Sequence, residues 1–473
     1  MNRMAILAII ALGACAASAQ AADVSIKANA SETVQGSNNY FLASSPSGPT
    51  TSSTTSGALD ILAQTPTTNY FLDARASYYN YYGPGAADSS PTWGKPATAL
   101  FTIDHTELLD KFNFAASWSR VDTATTSLAQ TGTASGHGST NTYYASGGVA
   151  HDLGRIDSVS LNALASYVTF TDQNQFPYVD VTSTAAWTHN ISSTTTLNNS
   201  VIFDWFSEDD RAQSQRLFWK LFTGLNSQLS SRLTFSGRLG WGFVNSYQTA
   251  GTQTVNASIP GLLAAVNSAT MGGIPFVPQT GSGNSILADA TVTYQLLRTT
   301  RVSLTAAQAI VPTQFGQLQK SDTIGLTIAH DINRHSNLSF SANFSYVPAA
   351  PGNAIFGTNQ NGSQSGASEF FSASVNYGFQ LTREWRTSLS YAYVQSNGTG
   401  GISGFPGISG ITGISSTSGI NGTSGNARSS IVSFSLSRDF TLMGNPTAIN
   451  QAEREKARER LQQSVGYVFP TLY

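Results

Sequence analysis

Between Glu369 and Ser396 the side chains alternate so regularly that few folds could hold the segment. Phe371, Ala373, Val375, Tyr377, Phe379 and Leu381 occupy one parity, and Ser372, Ser374, Asn376, Gly378 and Gln380 the other. Thr382-Arg383-Glu384 interrupts the pattern, which resumes with Trp385, Leu389, Tyr391 and Tyr393 against Ser388, Ser390 and Ala392. A period of two marks a strand with unlike faces, and a short polar break between two such runs marks a hairpin. Each arm has roughly ten or more residues, the length of a tilted strand that crosses a bilayer.

The same period, followed from Val24 onward, gives eighteen runs. They fall at about 24–34, 56–65, 69–80, 97–108, 111–122, 140–153, 156–170, 179–191, 195–207, 214–229, 231–246, 285–297, 300–311, 320–332, 335–347, 368–381, 385–396 and 428–440. Their connections alternate in length. Short breaks such as Thr65–Thr68, Leu108–Asp110, Asn333–Arg334 and Thr382–Glu384 are separated by long ones such as Gln35–Thr55, Gln248–Asn284 and Asn397–Arg428. Short turns at one end and long loops at the other describe an antiparallel outer-membrane barrel, with the short turns in the periplasm. A soluble β-solenoid or sandwich would alternate too, but would not alternate its connection lengths. The expected fold is all-β, a closed antiparallel transmembrane β-barrel of about 18 strands over residues 22–440.

Composition agrees with a wall between lipid and water. Charged residues are 11% of the 473, against about 25% in globular proteins. Hydrophobic residues are 40%, and the longest apolar run sits at the N-terminus, so no helix is expected to span a membrane. The net charge of −2 leaves no basic footprint for nucleic acid. Residues 1–21 read as a signal peptide, with Arg3 before an apolar stretch and Ala19-Gln20-Ala21 as the cleavage site. Leu12-Gly13-Ala14-Cys15 also fits a lipobox, which would make Cys15 a lipidated N-terminus. Cleavage after Ala21 would leave a chain without cysteine, hence without disulfides. Residues 441–473 read as a charged periplasmic tail, helical over Ala448–Val465.

Parity sorts two sets of residues. Tyr70, Phe112, Tyr294, Phe379, Trp385 and Phe440 lie on the apolar parity at the short-turn end. Trp118, Tyr167, Trp205, Phe243, Tyr346 and Tyr393 lie on it at the long-loop end. Two such aromatic girdles are what the membrane interfaces select. Lys27, Asp60, Asp73, Arg75, Asp104, Asp204, Lys220, Arg238 and Asp289 lie on the opposite parity and are expected to line a pore. A charge facing lipid would cost up to ~2–4 kcal/mol near the midplane. The 65–68 turn puts Asp60 opposite Asp73 or Arg75, so Arg75 could bridge both carboxylates, bracing the wall or narrowing the pore.

Catalytic motifs are absent or weak. The six histidines show no metal spacing, and no P-loop, dinucleotide fingerprint or serine elbow is present. His137 near Ser139 is the one start of a hydrolase site, and no partner can be placed for it. No enzyme, metal or cofactor is expected. The loops 248–284 and 397–427 are uncharged and read as mobile surface segments, the first with the alternative of folding into the lumen.

The layout resembles a known group. A secretory signal precedes a first strand at Val24–Val34, a polar loop, a hairpin closed by Thr67-Thr68-Asn69-Tyr70, and a last strand ending Ser437-Arg438-Asp439-Phe440. This is similar to the beta-barrel porin-2 family and related Gram-negative outer-membrane barrels. The resemblance implies an outer-membrane channel, in some members associated with exopolysaccharide export. It also implies that terminal Phe440 resembles the aromatic end read by the barrel-assembly machinery, although this chain continues to Tyr473. The expected function is porin-like passage of small hydrophilic solutes. The alternatives are a polysaccharide-export conduit and a structural or adhesive barrel with a closed lumen. Expected partners are outer-membrane lipid, the assembly machinery, and small solutes or polysaccharide; a homotrimer is an open assembly state.

Overall fold

In the computed structural model the described residues are 23–42, 46–88, 93–122, 138–171, 176–209, 214–248, 280–312, 318–347, 368–398 and 426–443. The expected signal peptide, the helical tail, His137 and most of the two uncharged loops lie outside them. The first strands are β1 (Asp23–Ser37), β2 (Thr50–Gln64), β3 (Thr68–Tyr82), β4 (Trp93–Gly94), β5 (Ala97–Thr106) and β6 (Asp110–Asp122). The middle ones are β7 (Ser139–Asp152), β8 (Asp157–Phe170), β9 (Tyr178–Asn190), β10 (Thr195–Glu208), β11 (Ser214–Gln228) and β12 (Leu233–Gln248). The last are β13 (Thr280–Leu297), β14 (Thr300–Pro312), β15 (Leu318–Asn333), β16 (Ser336–Val347), β17 (Ser368–Gln380), β18 (Trp385–Gly398) and β19 (Asn426–Met443). Pro84–Asp88 forms a 3-10 turn, and no described helix is long and apolar enough to cross a membrane.

Strand β4 is a two-residue stub alongside Tyr79 and Asn80. The other eighteen pair antiparallel in chain order, and β1 pairs with both β2 and β19, so the sheet closes on itself. Closure matters because an open edge in hydrocarbon would strand unpaired N–H and C=O groups. The seam runs from Ile26 opposite Met443 to Ser37 opposite Ile431. Side chains tie it as well: Asn29 Nδ2 donates to Asp439 Oδ1 at 2.8 Å, and Thr33 Oγ1 to Ser435 Oγ at 3.1 Å. Ser37 and Ser429 share a third hydrogen bond at 2.8 Å.

Burial separates the two faces. On β12, Leu239 is 59% exposed and Phe243 44%, while Val244 on the other parity is 1% exposed. The buried hydrophobic clusters all lie on the inward parity: Leu62, Phe71 and Leu100; Val168, Tyr178 and Phe206; Phe218, Val244 and Leu287. The exterior therefore carries its large apolar side chains into the surroundings, as a wall immersed in hydrocarbon does.

Apart from the two residues that join the stub β4 to β5, connections of two to four residues all lie at one end, together with the start of β1 and the end of β19. Small polar side chains shape these turns. Thr65 Oγ1 accepts from the Thr68 amide at 2.9 Å, Asn333 Oδ1 from the His335 amide at 2.8 Å, and Thr382 Oγ1 from the Trp385 amide at 3.1 Å. Most strands run further at the long-loop end than their apolar alternation does. β2 starts at Thr50 rather than near 56, because Thr50–Thr55 is all hydroxyl and has no apolar parity, though threonine is at home in a strand. The last strand continues past Phe440 to Met443.

Candidate functional site

The structure places all nine charges named above on the inward parity. Lys27, Asp60 and Asp73 stand in one row across β1, β2 and β3. Arg75 turns its fork onto Asp73, with Nε 2.8 Å from Oδ1 and Nη2 2.7 Å from Oδ2. Asp104 faces Asn69 on β3 and Asn113 on β6. Lys220 is ion-paired with Asp204, and its ammonium lies 4.4 Å from the centre of the Phe218 ring. Arg238 is directly opposite Asp289, at 2.9 Å, and lies over Phe222. Aromatic faces attract cations, which explains how Lys220 shares its parity with two phenylalanines. Register places further inward groups that sequence reading did not single out: Asp180, Glu208, Arg216, and the Arg386–Asp439 pair at 2.9 Å.

Two kinds of wall face the lumen. From β9 to β13 it carries charges and aromatic rings, among them Asp180, Asp204, Lys220, Arg238, Asp289, Phe218 and Phe222. From β14 to β19 it is lined mostly by serine, threonine, asparagine and glycine, with serine pairs such as Ser341–Ser374 at 2.7 Å and Ser390–Ser433. On the charged side two rings lie down against glycines. A Cβ at Gly240 would come within 2.4 Å of both the Leu221 carbonyl oxygen and the Phe222 ring, and one at Gly242 within 2.8 Å of the Phe218 ring. Only a bare α-carbon lets these rings rest flat on the neighbouring strand.

At the long-loop rim, Tyr40 and Phe41 pack on Tyr81 with ring centres 5.0 Å away, and Tyr79 stands 5.0 Å from Tyr81. Burial pushes the Tyr40 hydroxyl above its ordinary pKa. Tyr79 donates to Asp122 Oδ2 at 2.7 Å, tying β3 to β6 across the rim. Tyr79→Phe is expected to lose about 1–2 kcal/mol of stability in urea unfolding, a charge-assisted bond reduced by partial exposure. An unchanged urea midpoint would mean that the bond does not brace the rim.

All twelve aromatics assigned to girdles lie on the outward parity, Tyr70, Phe112, Tyr294, Phe379, Trp385 and Phe440 toward the short turns and Trp118, Tyr167, Trp205, Phe243, Tyr346 and Tyr393 toward the loops. Tyr143, Trp187, Trp219 and Trp241 join them on that face and were missed from sequence. Phe203 and Trp219 meet edge to face at 4.7 Å. Carboxylates also stand outward, among them Glu32 and Asp322 on the strands and Asp110 and Asp157 at the short-turn rim. Glu32 accepts from Ser53 Oγ at 2.6 Å and Thr55 Oγ1 at 2.5 Å, and Asp322 from Gln308 Nε2 at 2.8 Å. These donors offset part of the penalty of an outward charge.

The five described histidines all stand at or beside the short-turn rim. His105, His151, His189 and His330 each engage a cross-strand partner through Nδ1: Thr68, Asp110, Asp157 and Thr300, at 2.7–2.9 Å. Among the described residues no group of three or more metal-ligating side chains converges.

Fold and faces together define a closed β-barrel with an apolar exterior and a polar interior. No family model matches the chain, and no curated protein matches it. Several solved structures resemble it at low identity. One is the ferric-catecholate import receptor Fiu from E. coli K12, at 11% identity and TM-score 0.44, covering 88% of this chain and 82% of that one. Another is OccAB2 from Acinetobacter baumannii, at 7% identity and TM-score 0.42, covering 89% and 98%. A third is OccK2 from Pseudomonas aeruginosa, at 8% identity and TM-score 0.42, covering 89% and 99%.

Proposed function

We propose that the protein is a bacterial outer-membrane channel that lets small hydrophilic solutes pass passively. One observation carries this reading: around a closed ring of eighteen strands, the nine charges named above and many hydroxyls face inward, while most of the exposed large apolar side chains face outward. Eighteen strands are enough to enclose water, since 16–18-stranded barrels form aqueous channels. Lumen charges such as Lys27, Asp60, Asp204, Lys220, Arg238 and Asp289 would then filter solutes by sign. The aromatics at the two ends would mark the interfaces, and the short-turn end would face the periplasm. Export by a signal over residues 1–21, insertion by the barrel-assembly machinery and kinship with the beta-barrel porin-2 family belong to the same reading.

Planar-bilayer recording of the purified protein tests it. Stepwise conductance is expected, with smaller steps in Ser390→Trp, which puts a large ring on the hydroxyl wall. A folded protein that gives no steps would leave a structural barrel and end the channel reading.

A further inference from the structure

The outer surface holds one feature that a passive channel does not require. At the short-turn rim, Asp157 Oδ1 accepts from both Trp187 Nε1 at 3.0 Å and His189 Nδ1 at 2.9 Å. All three residues lie on the outward parity of β8 and β9. Neither bond uses Oδ2 of the carboxylate, and binding through Nδ1 turns the Nε2 edge of His189 away from Asp157. From Trp187 an apolar trough of about 890 Å³ climbs obliquely across β9–β13, past Ala185, Val201 and Leu221 to Trp241. Four strand spacings at ~4.8 Å make it about 19 Å long, comparable with the ~15 Å half-thickness of a hydrocarbon core.

We propose that this face binds a phospholipid of the periplasmic leaflet. The lipid phosphate sits beside His189, an ammonium headgroup sits on Asp157, and one acyl chain lies in the trough. The three parts are arranged as such a molecule requires. A polar pair stands at headgroup level, since His189 is the penultimate residue of its strand. An indole stands at the boundary, where tryptophan is favoured. The groove then runs into the hydrocarbon, and the trough's surface is overwhelmingly apolar. The His151–Asp110 pair on the same rim, at 2.7 Å, has the imidazole and carboxylate but no indole on that carboxylate, and so serves as the internal control.

The proposal rests on the membrane-barrel reading, and the test separates the two. Full-length protein would be purified in detergent, and each variant checked for folding by its heat-dependent gel migration. It would then be loaded with phosphatidylethanolamine or phosphatidylglycerol and examined by native mass spectrometry. One phosphatidylethanolamine per barrel is expected. Binding should weaken at least tenfold in Asp157→Asn, in His189→Leu and in Leu221→Trp, which fills the trough, and stay unchanged in His151→Leu. Glycerophosphoethanolamine, a headgroup without chains, should not compete. Equal retention in every folded variant, or competition by the chainless headgroup, would overturn the site. So would barrel-to-barrel crosslinking through Leu221→Cys, which would make the trough a contact between copies. All variants should keep their conductance steps. Absence of steps in wild-type protein that still holds the lipid would defeat the channel reading alone.

Discussion

Replacing both members of the seam pair, Thr33→Cys with Ser435→Cys in a Cys15→Ser background, is expected to weld the barrel shut. Thr33 and Ser435 are directly opposite on β1 and β19, with their hydroxyls 3.1 Å apart across 402 residues of sequence. Cys15 is the chain's single cysteine, so the engineered pair has no competitor. The chain-entropy relation for a loop of that size gives about 6 kcal/mol of added stability. In practice strain at the bridge lowers such gains. The unreduced, boiled protein should migrate differently from the reduced one, and the urea transition should move well upward under oxidising conditions. Failure of the bridge to form in folded protein would mean that the two strands are not neighbours, and the closed sheet would have to be abandoned.

The second large effect comes from adjacent residues that face opposite solvents. Val375 points outward between Phe340 and Tyr391, and Ser374 points inward beside Ser341. Val375 is four residues from Phe379, which the proposed reading puts at a membrane interface; about 10 Å along a tilted strand then reaches near the middle of a ~25 Å apolar band. Val375→Arg is therefore expected to destabilise the barrel by about 2–4 kcal/mol in unfolding from liposomes. Ser374→Arg should cost about 1 kcal/mol for the lost serine pair, yet reduce single-channel conductance sharply. If the inward variant proved the more damaging to stability, the assignment of faces would be reversed.

Much of the architecture was legible because every strand separates two unlike solvents, and parity records that contrast residue by residue. Ser372 to Gln380 is an example: one glance at alternate positions assigns both faces. Where the contrast vanishes, so does the signal. Thr50–Thr55 lies above the apolar band with hydroxyls on both faces, and only the register with β1 and β3 identifies it as strand. Among site residues, parity assigned the nine inward charges a face but could not choose their partners. Whether Arg75 grips Asp60 or Asp73 depends on a rotamer, and the fork goes to Asp73. The outward carboxylates Glu32 and Asp322 went unread because their hydroxyl and amide donors sit on other strands. The Asp157–Trp187–His189 cluster was equally hidden, since it exists only once the register between β8 and β9 is known.

The rings that lie flat over Gly240 and Gly242 have a consequence for how such a tube can evolve. Strand number sets the circumference of the cylinder, but the usable aperture depends on whether Phe218 and Phe222 are stowed or raised. One methyl group at position 242, where a Cβ would meet only side chains, would lever the Phe218 ring toward the axis without altering a single backbone pairing. Calibre can thus be adjusted by point mutation, on a chassis that never has to gain or lose a stave.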